Sequence, residues 1–490
     1  MKQLIMTIAL SMCIGFVYAD TTTNLLDTLH DSGKLTDDEY KTLSNQHEEE
    51  TLTQRADRRA TALRVAQDIE AKEKAKENAK TDVKGKLKDG SLVFESTDKN
   101  FSFAPTVRLQ LDYRKFGGDA AGATANTFDI RRGFLGLKGK FYGSYEWLII
   151  GDFGGGSGAS VLDEAYLNVN YWKEAQFRVG QFKMPFSLEE MTSDLFTDFM
   201  ERSMGNSMVP NKERGIMVHG TPLAGTTYAL ALSTGQGKNA NETVNTVDSN
   251  DIIARGTINF AELFSWKDTV VHLGIGYTTG TEPIGAAVSG RTESRGIIFF
   301  TPSTFTGADL SRTRTGLEGV LAYKNFKIQT EMMSVNYSGV SVANVGYDKK
   351  ITSNYVDIMW MITGEHYADR YKDGKFDRMK PKKDFDYKTL SGGGWEVGIR
   401  FSQFNADDFA TGKAGTGVIP TSTASAAFTT SATSITYGVN WILNPRTRLM
   451  LNYVDTKFNS PVIVSQAAST PSVAKTNGEK VIMMRLQYDF

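Results

Sequence analysis

From about residue 104 to its last residue the chain repeats one pattern, apolar and polar side chains in alternation. In 106–114, Val107, Leu109, Leu111 and Tyr113 alternate with Arg108, Gln110, Asp112 and Arg114, which is a strand with one apolar and one polar face. The same period returns at Tyr145/Trp147/Ile149, Ala165/Leu167/Val169/Tyr171, Val271/Leu273/Ile275/Tyr277, Ile435/Tyr437/Val439/Trp441 and Ile482/Met484/Leu486/Tyr488/Phe490. Sixteen such segments are expected, at about 104–115, 127–140, 144–153, 163–172, 175–183, 213–220, 226–234, 251–260, 269–279, 312–323, 326–336, 352–363, 394–404, 434–443, 446–456 and 480–490.

Their connections alternate in length. Those at 141–143, 173–174, 221–225, 324–325 and 444–445 are short, whereas 184–212, 235–250, 280–311, 405–433 and 457–479 are long. A transmembrane barrel has this asymmetry, with tight periplasmic turns and long outer loops. The 30 residues 364–393 break it, because parity puts them on the periplasmic side. A soluble sandwich would have to bury sixteen apolar faces in one core, and segments of about ten residues suit a tilted membrane strand better. Aromatics at Tyr142, Tyr145, Trp147, Tyr171, Trp172, Tyr323, Phe326 and Trp441 lie near the short turns, as an interfacial girdle requires. The fold class expected is an all-β transmembrane barrel of about sixteen antiparallel strands with an N-terminal helical or coiled-coil arm. The last ten residues, VIMMRLQYDF, have the form of a C-terminal strand signal ending on Phe490, which makes the outer-membrane assembly machinery an expected partner.

The first ninety residues read differently. Residues 1–19 carry Lys2, an apolar core and Val17-Tyr18-Ala19, the features of a signal peptide with cleavage before Asp20. Residues 20–90 read as a periplasmic helical arm, and 91–490 as the barrel domain. Leu25, Leu26 and Leu29 make a short apolar face that Gly33 ends, and Thr36-x-x-Glu39 has capping-box spacing. Two short helices are expected there. Residues 50–88 have a narrow stripe of Leu52, Leu63, Ala66 and Ile69, compatible with a coiled coil or with a solvated helix.

Composition narrows the chemistry. The 55 Lys+Arg nearly balance the 56 Asp+Glu, which does not fit a nucleic-acid binder. The single cysteine, Cys13, lies in the signal segment, so the mature chain makes no disulfide and no cysteine zinc site. Of the five histidines, His30, His47, His219, His272 and His366, none has a serine-hydrolase context, and Gly155-Gly156-Ser157-Gly158-Ala159 fails the G-x-S-x-G pattern. No enzyme and no cofactor is expected.

Arg131-Arg132-Gly133-Phe134-Leu135, the run VGQFKMPFSLEEMTSDLFTDFMERSMGNSMVP at 179–210, the stretch 361–385, GGGWEVGIRFS at 392–402 and ITYGVNWILNPRTRLMLNYV at 435–454 resemble the phosphate-selective porin O and P family. That resemblance implies a sixteen-stranded, usually trimeric channel of the bacterial outer membrane whose third long loop folds into the pore. It also implies a ladder of basic residues leading anions to a phosphate site. Its basic constriction maps onto Arg131 or Arg132, Lys183, Arg202 and Arg214, with Arg108 and Arg178 as further lumen candidates. Arg131 and Arg132 are strand neighbours, so alternation lets at most one of them face the lumen.

Alternation puts ten basic residues inward, Arg108, Arg114, Lys138, Lys140, Arg178, Arg255, Lys327, Arg400, Arg448 and Arg485, against eight acids, Asp112, Glu146, Asp152, Glu164, Glu318, Glu331, Glu396 and Asp489. The loop 184–212 opposes this slight excess with Glu189, Glu190, Asp194, Asp198 and Glu201 against Arg202 and Lys212. The expectation is passive diffusion of small anions, phosphate or polyphosphate among them, through a pore constricted by that loop. A general-diffusion pore and a structural or adhesive barrel are the alternatives.

Overall fold

In a computed structural model of the protein the described residues are 16–88, 90–117, 126–154, 162–239, 250–282, 288–301, 310–340, 346–409, 429–464 and 474–490. Most of the expected signal segment, with Cys13, and the glycine run 155–159 lie outside them. So do parts of the long connections 235–250, 280–311, 405–433 and 457–479.

Sixteen antiparallel strands close a barrel: Ser102–Gly117, Thr127–Phe141, Tyr145–Asp152, Leu162–Val169, Gln176–Lys183, Lys212–Gly220, Thr226–Ser233, Asp251–Asn259, Thr269–Glu282, Leu310–Tyr323, Phe326–Val340, Gly346–Met361, Gly394–Asn405, Ser431–Asn444, Thr447–Val464 and Ala474–Asp489. Each expected segment has its counterpart. The last strand pairs with the first from Lys480↔Gly117 to Asp489↔Arg108, and Val107 and Phe490 exchange two backbone hydrogen bonds of 3.1 Å. Closure leaves no sheet edge facing lipid, where unpaired backbone groups are not tolerated.

Alternation is visible in the walls. Leu273, Ile275 and Tyr277 are exposed on the outer face while His272 and Thr278, at the alternate positions on either side of them, are buried inside. Near the short turns the outer aromatics pair up: Phe141 stacks on Tyr145 at 5.1 Å and Trp395 on Trp441 at 5.0 Å, as expected where the wall meets the lipid headgroups. Left-handed residues allow the tight reversals, Tyr142 and Gly143 in one turn (φ 49° and 71°) and Lys324 in another (φ 51°). The last two barrel strands run well past the expected ends on the long-loop side, where Val462–Val464 pair with Ala474–Thr476 beyond a register break.

The described residues 16–82 form a separate compact unit. Its helix Phe16–Asp31 turns at Gly33 (φ 69°) into the helix Asp37–Thr81. Thr36 Oγ1 accepts from Glu39 N, Glu39 Oε2 accepts from Thr36 N at 3.1 Å, and Tyr40 OH donates to Asp27 across the turn. The second helix does not stop short, because the charged stretch after residue 50 continues it to 45 residues. Leu52, Leu63 and Val65 are all exposed on it. Helix also fails to reach Gly90: Val83–Lys88 and Ser91–Ser96 form a β-hairpin whose second strand pairs with the first barrel strand at Phe94↔Phe103 and Glu95↔Ser102. Val83, Gly85 and Leu87 alternate with three lysines there, a period-two signal that the helix-rich composition upstream obscures.

Three connecting segments fold into the barrel. Residues 184–211 run across the lumen as a short helix Leu188–Met191, a 3₁₀ turn Met204–Met208 and extended pieces. From the long-loop end, Val288, Ile297, Phe299 and Phe300 dip in and pack with Phe186, Met204 and Met208 of that loop on a wall of Val335, Tyr337 and Phe404. From the opposite end, Tyr367 and Phe376 pack with Leu188 and Phe199. The long connection 364–393, anomalous by turn length, is therefore partly an interior element.

Candidate functional site

The loop 184–211 is seated by shape before charge. Phe186 enters a hollow made by Gly276 and Gly316, which are paired on neighbouring strands. A Cβ at position 276 would lie 2.2 Å from Phe186 O, and one at 316 would lie 3.2 Å from its ring. Any side chain at 276 must displace the root of the loop.

Beyond Phe186 every carboxylate of the loop meets basic side chains. Glu189 accepts from Arg400 Nη2 at 2.7 Å and from Ser203 N and Oγ, while Arg400 also holds Asp357. Glu190 lies between Lys183 at 3.6 Å and Arg202 at 3.4 Å. Asp194 is held by Arg108 and Arg132, and Asp198 by Lys327 and by Arg370, the latter at 2.7 Å. Glu201 meets Arg114 and Arg131, each at 2.7 Å, and Arg485 at 3.1 Å. Wall amides and guanidinium groups secure the backbone between them: Asn440 Nδ2 donates to Asp198 O at 2.7 Å, Asn452 Oδ1 accepts from Met200 N at 2.8 Å, and Arg448 donates to Thr197 O at 2.8 Å.

Burial alone would raise the carboxyl pKa values on this loop. The arginines outweigh it: Arg131, Arg114 and Arg485 hold Glu201 well below the carboxylate range, and Arg108 with Arg132 does the same for Asp194. Asp198 is likewise lowered, by Lys327 and Arg370 against its burial. All three are ionised at neutral pH. Summed over the separate ion-pair clusters built on the five loop carboxylates, ten basic side chains face eight carboxylates among the described residues, so the negative charge of the loop is compensated with a small basic excess.

Arg131 and Arg132 both reach these loop acids, against the expectation that at most one could. The cause is a β-bulge. Gln110 pairs with Arg132 but the next residue, Leu111, pairs with Ile130, so Arg131 is the extra residue on its strand. A bulge breaks the alternation and re-aims a side chain. Of the other basic residues picked from the sequence, Lys183 donates to Glu190 O at 2.6 Å and to Thr192 O at 3.2 Å. Arg202 donates to Glu189 O at 2.9 Å and to Thr192 O at 3.0 Å. These two hold the loop in its fold. Arg178 stands apart, its guanidinium 4.4 Å from the Tyr166 ring and its Nε donating to Asn168. Neither Arg178 nor Arg214 forms an ion pair among the described residues.

Residues that alternation did not single out complete the site. Arg370, on the connection 364–393, shares Asp198 with Lys327, and Tyr371 OH lies 2.6 Å from His272 Nδ1, whose Nε2 meets Glu318. Arg255 donates to Gly374 O at 2.8 Å, tying the same segment to the strand beside that of His272. At the outer side Arg114 donates to Ser294 O and Arg291 to Arg295 O, which brings exposed Arg295 to the rim of the Glu201 cluster. The hint in the sequence was the density of aromatic and arginine residues in YADRYKDGKFDRM at 367–379, unusual for a solvated turn.

A closed sixteen-stranded barrel with the third connection on its long-loop side folded across the lumen is a porin. The chain belongs to the phosphate-selective porin O and P family, whose model matches residues 103–490, and it is an outer-membrane anion porin. It is 25% identical over 436 residues to Porin O of Pseudomonas aeruginosa, covering 82% of this chain and 91% of the relative. Among solved structures it is similar to an anion-selective porin from Comamonas acidovorans, with 13% identity, a TM-score of 0.52 and coverage of 80% of this chain and 100% of the other. A second similar structure is the outer-membrane channel DcaP of Acinetobacter baumannii, with 11% identity, a TM-score of 0.49 and coverage of 81% and 99%.

Proposed function

We propose that the pore passes small anions by passive diffusion, phosphate and polyphosphate among them, and that no catalytic step is involved. The observation that carries this reading is the capture of all five loop carboxylates by basic side chains. With those charges compensated, an anion crossing the constriction meets the basic excess of these clusters, and elsewhere along the lumen the guanidinium groups of Arg178 and Arg295, which form no ion pair among the described residues. A narrow point decides selectivity, and charges farther than about 10 Å from the ion are screened at 0.1 M salt. Lys183 and Arg202 act in this reading as positioning residues, since their donors are engaged by the loop.

The proposed assembly is a homotrimer in the outer membrane with the arm 20–82 in the periplasm, because the chain enters the barrel at its short-turn end. The purified protein is expected to be heat-modifiable on gels and to show three-step channel insertions. Phosphate should block chloride current at low concentration if a binding site lies in the constriction. Chloride current indifferent to phosphate would remove the phosphate assignment and leave a general anion pore.

A further inference from the structure

The connection 364–393 re-emerges from the barrel after Met379 and ends against the outside of the wall. Phe385 packs edge-on against Trp441, with centroids 4.8 Å apart, and Trp441 stacks on Trp395. Both tryptophans share the outward face with Val397, Val439 and Tyr437. Two backbone hydrogen bonds fix the segment there, Phe385 N to Leu443 O at 2.7 Å and Gly393 N to Lys383 O at 2.8 Å.

Between these anchors is a tight reversal. Asp386 and Ser391 pair across it, and the Asp386 carboxylate accepts from Lys388 N at 2.8 Å and Thr389 Oγ1 at 3.1 Å. The reversal pushes two large side chains outward, Tyr387 at 74% exposure and Leu390 at 80%, the latter with φ 49°. A leucine is held in the left-handed region here with four-fifths of its surface in the open. Beside it lies a recess of about 540 Å³ lined by Thr363, Phe385, Leu390, Gly392, Trp395 and Trp441. The apolar surface continues from the two tryptophans over Val439, Leu449 and Leu451, along the lipid-facing wall.

Around the recess the exposed charge is mainly basic, from Lys382, Lys383 and Lys388. Lys382 Nζ reaches Thr363 O and Lys383 Nζ reaches Ser391 Oγ, each at 3.3 Å, so both ammonium groups keep donors for another acceptor. Of the nearby acids, Asp386 is occupied by the turn, which lowers its pKa through the Lys388 amide, and Asp384 is exposed.

We propose that this rim is a binding site for an anionic phospholipid of the periplasmic leaflet. An acyl chain lies along Leu390 and the Trp395–Trp441 pair, and the headgroup phosphate is met by Lys382, Lys383 and Lys388. Two features select this occupant over a protein: the recess is continuous with the lipid-facing wall at headgroup depth, and its polar edge carries charge complementary to a phosphate. The site is separate from the pore and stands whether or not the pore prefers phosphate.

The test uses intact protein, delipidated in detergent and titrated with phosphatidylglycerol or phosphatidylethanolamine, with bound lipid counted by native mass spectrometry. Phosphatidylglycerol should be retained over phosphatidylethanolamine. Lys382→Gln, Lys383→Gln and Lys388→Gln together should weaken its retention by roughly fivefold for each lysine removed. Leu390→Ser should weaken both lipids, with heat-modifiability and conductance unchanged. Should the triple variant assemble poorly, Lys388→Gln alone carries the test, because that residue sits at the tip of the reversal. Equal retention of the two lipids, or undiminished retention by the lysine variants, would overturn the proposal. Displacement of the lipid by inorganic phosphate would mark a free-anion site instead, and a change in oligomer mass would identify a second copy of the chain as the occupant.

Discussion

Arg131 Nε lies 2.7 Å from Glu201 Oε1 while its sequence neighbour Arg132 meets Asp194 on the same loop. Two adjacent strand residues thus face one lumen, and the bulge at Gln110/Leu111 is what permits it. Glu201 also holds Arg114 and Arg485, so one carboxylate restrains three guanidinium groups.

Glu201→Gln removes that carboxylate and leaves the guanidinium groups buried with less compensation, which costs about 3–5 kcal/mol when one partner of a buried pair is lost. The variant should convert to the denatured gel form at lower temperature. Its channels should be noisier and more anion-preferring. Unchanged selectivity would show that permeating ions do not sense this cluster.

Gly276→Ala should be disproportionately harmful for a single methyl group. The Cβ would collide with the Phe186 carbonyl, and overpacking of this kind costs about 1–3 kcal/mol. Because the clash is at the root of the loop, the expected readout is altered single-channel conductance in a barrel that still assembles. A conductance equal to wild type would remove Phe186 as the seat of the constriction.

The barrel was legible in the sequence because lipid on one side and water on the other impose a period of two, and all sixteen strands follow it over most of their length. What escaped is what breaks the period. The bulge at Arg131 is invisible to alternation, which assumes one residue per step. Residues 367–379 could be recognised as an anomaly of length but not as an interior element, since Arg370 and Tyr371 find their partners Asp198 and His272 far away in the chain. The loop acids looked like a negative constriction because their compensating arginines come from strands up to 284 residues distant, as with Arg485 and Glu201.

Arg370→Ala should loosen the periplasmic side of the constriction. It removes one of the two cations on Asp198 and leaves Lys327 alone against it. Planar-bilayer recordings should show higher conductance with weaker anion preference. A variant that conducts and selects like wild type would mean that this connection does not border the ion path.

Acidification tests the electrostatic pinning. Asp194, Asp198 and Glu201 have folded-state pKa values below their ordinary ones. Their contribution to loop stability is therefore present above the ordinary carboxylate range and is lost as pH falls through the lowered values. Conductance and noise should stay constant from about pH 7 to about pH 4, the latter near the unperturbed carboxylate value. Onset of gating near pH 5 would contradict the pinning.

The most direct test of the account is the reversal potential of wild-type channels in a potassium chloride gradient. If the loop carboxylates are compensated as their ion pairs indicate, the zero-current voltage must have the sign of an anion-preferring pore. A zero-current voltage of the opposite sign would mean that Glu189, Glu190, Asp194, Asp198 and Glu201 are felt by ions as negative charge, and would contradict it.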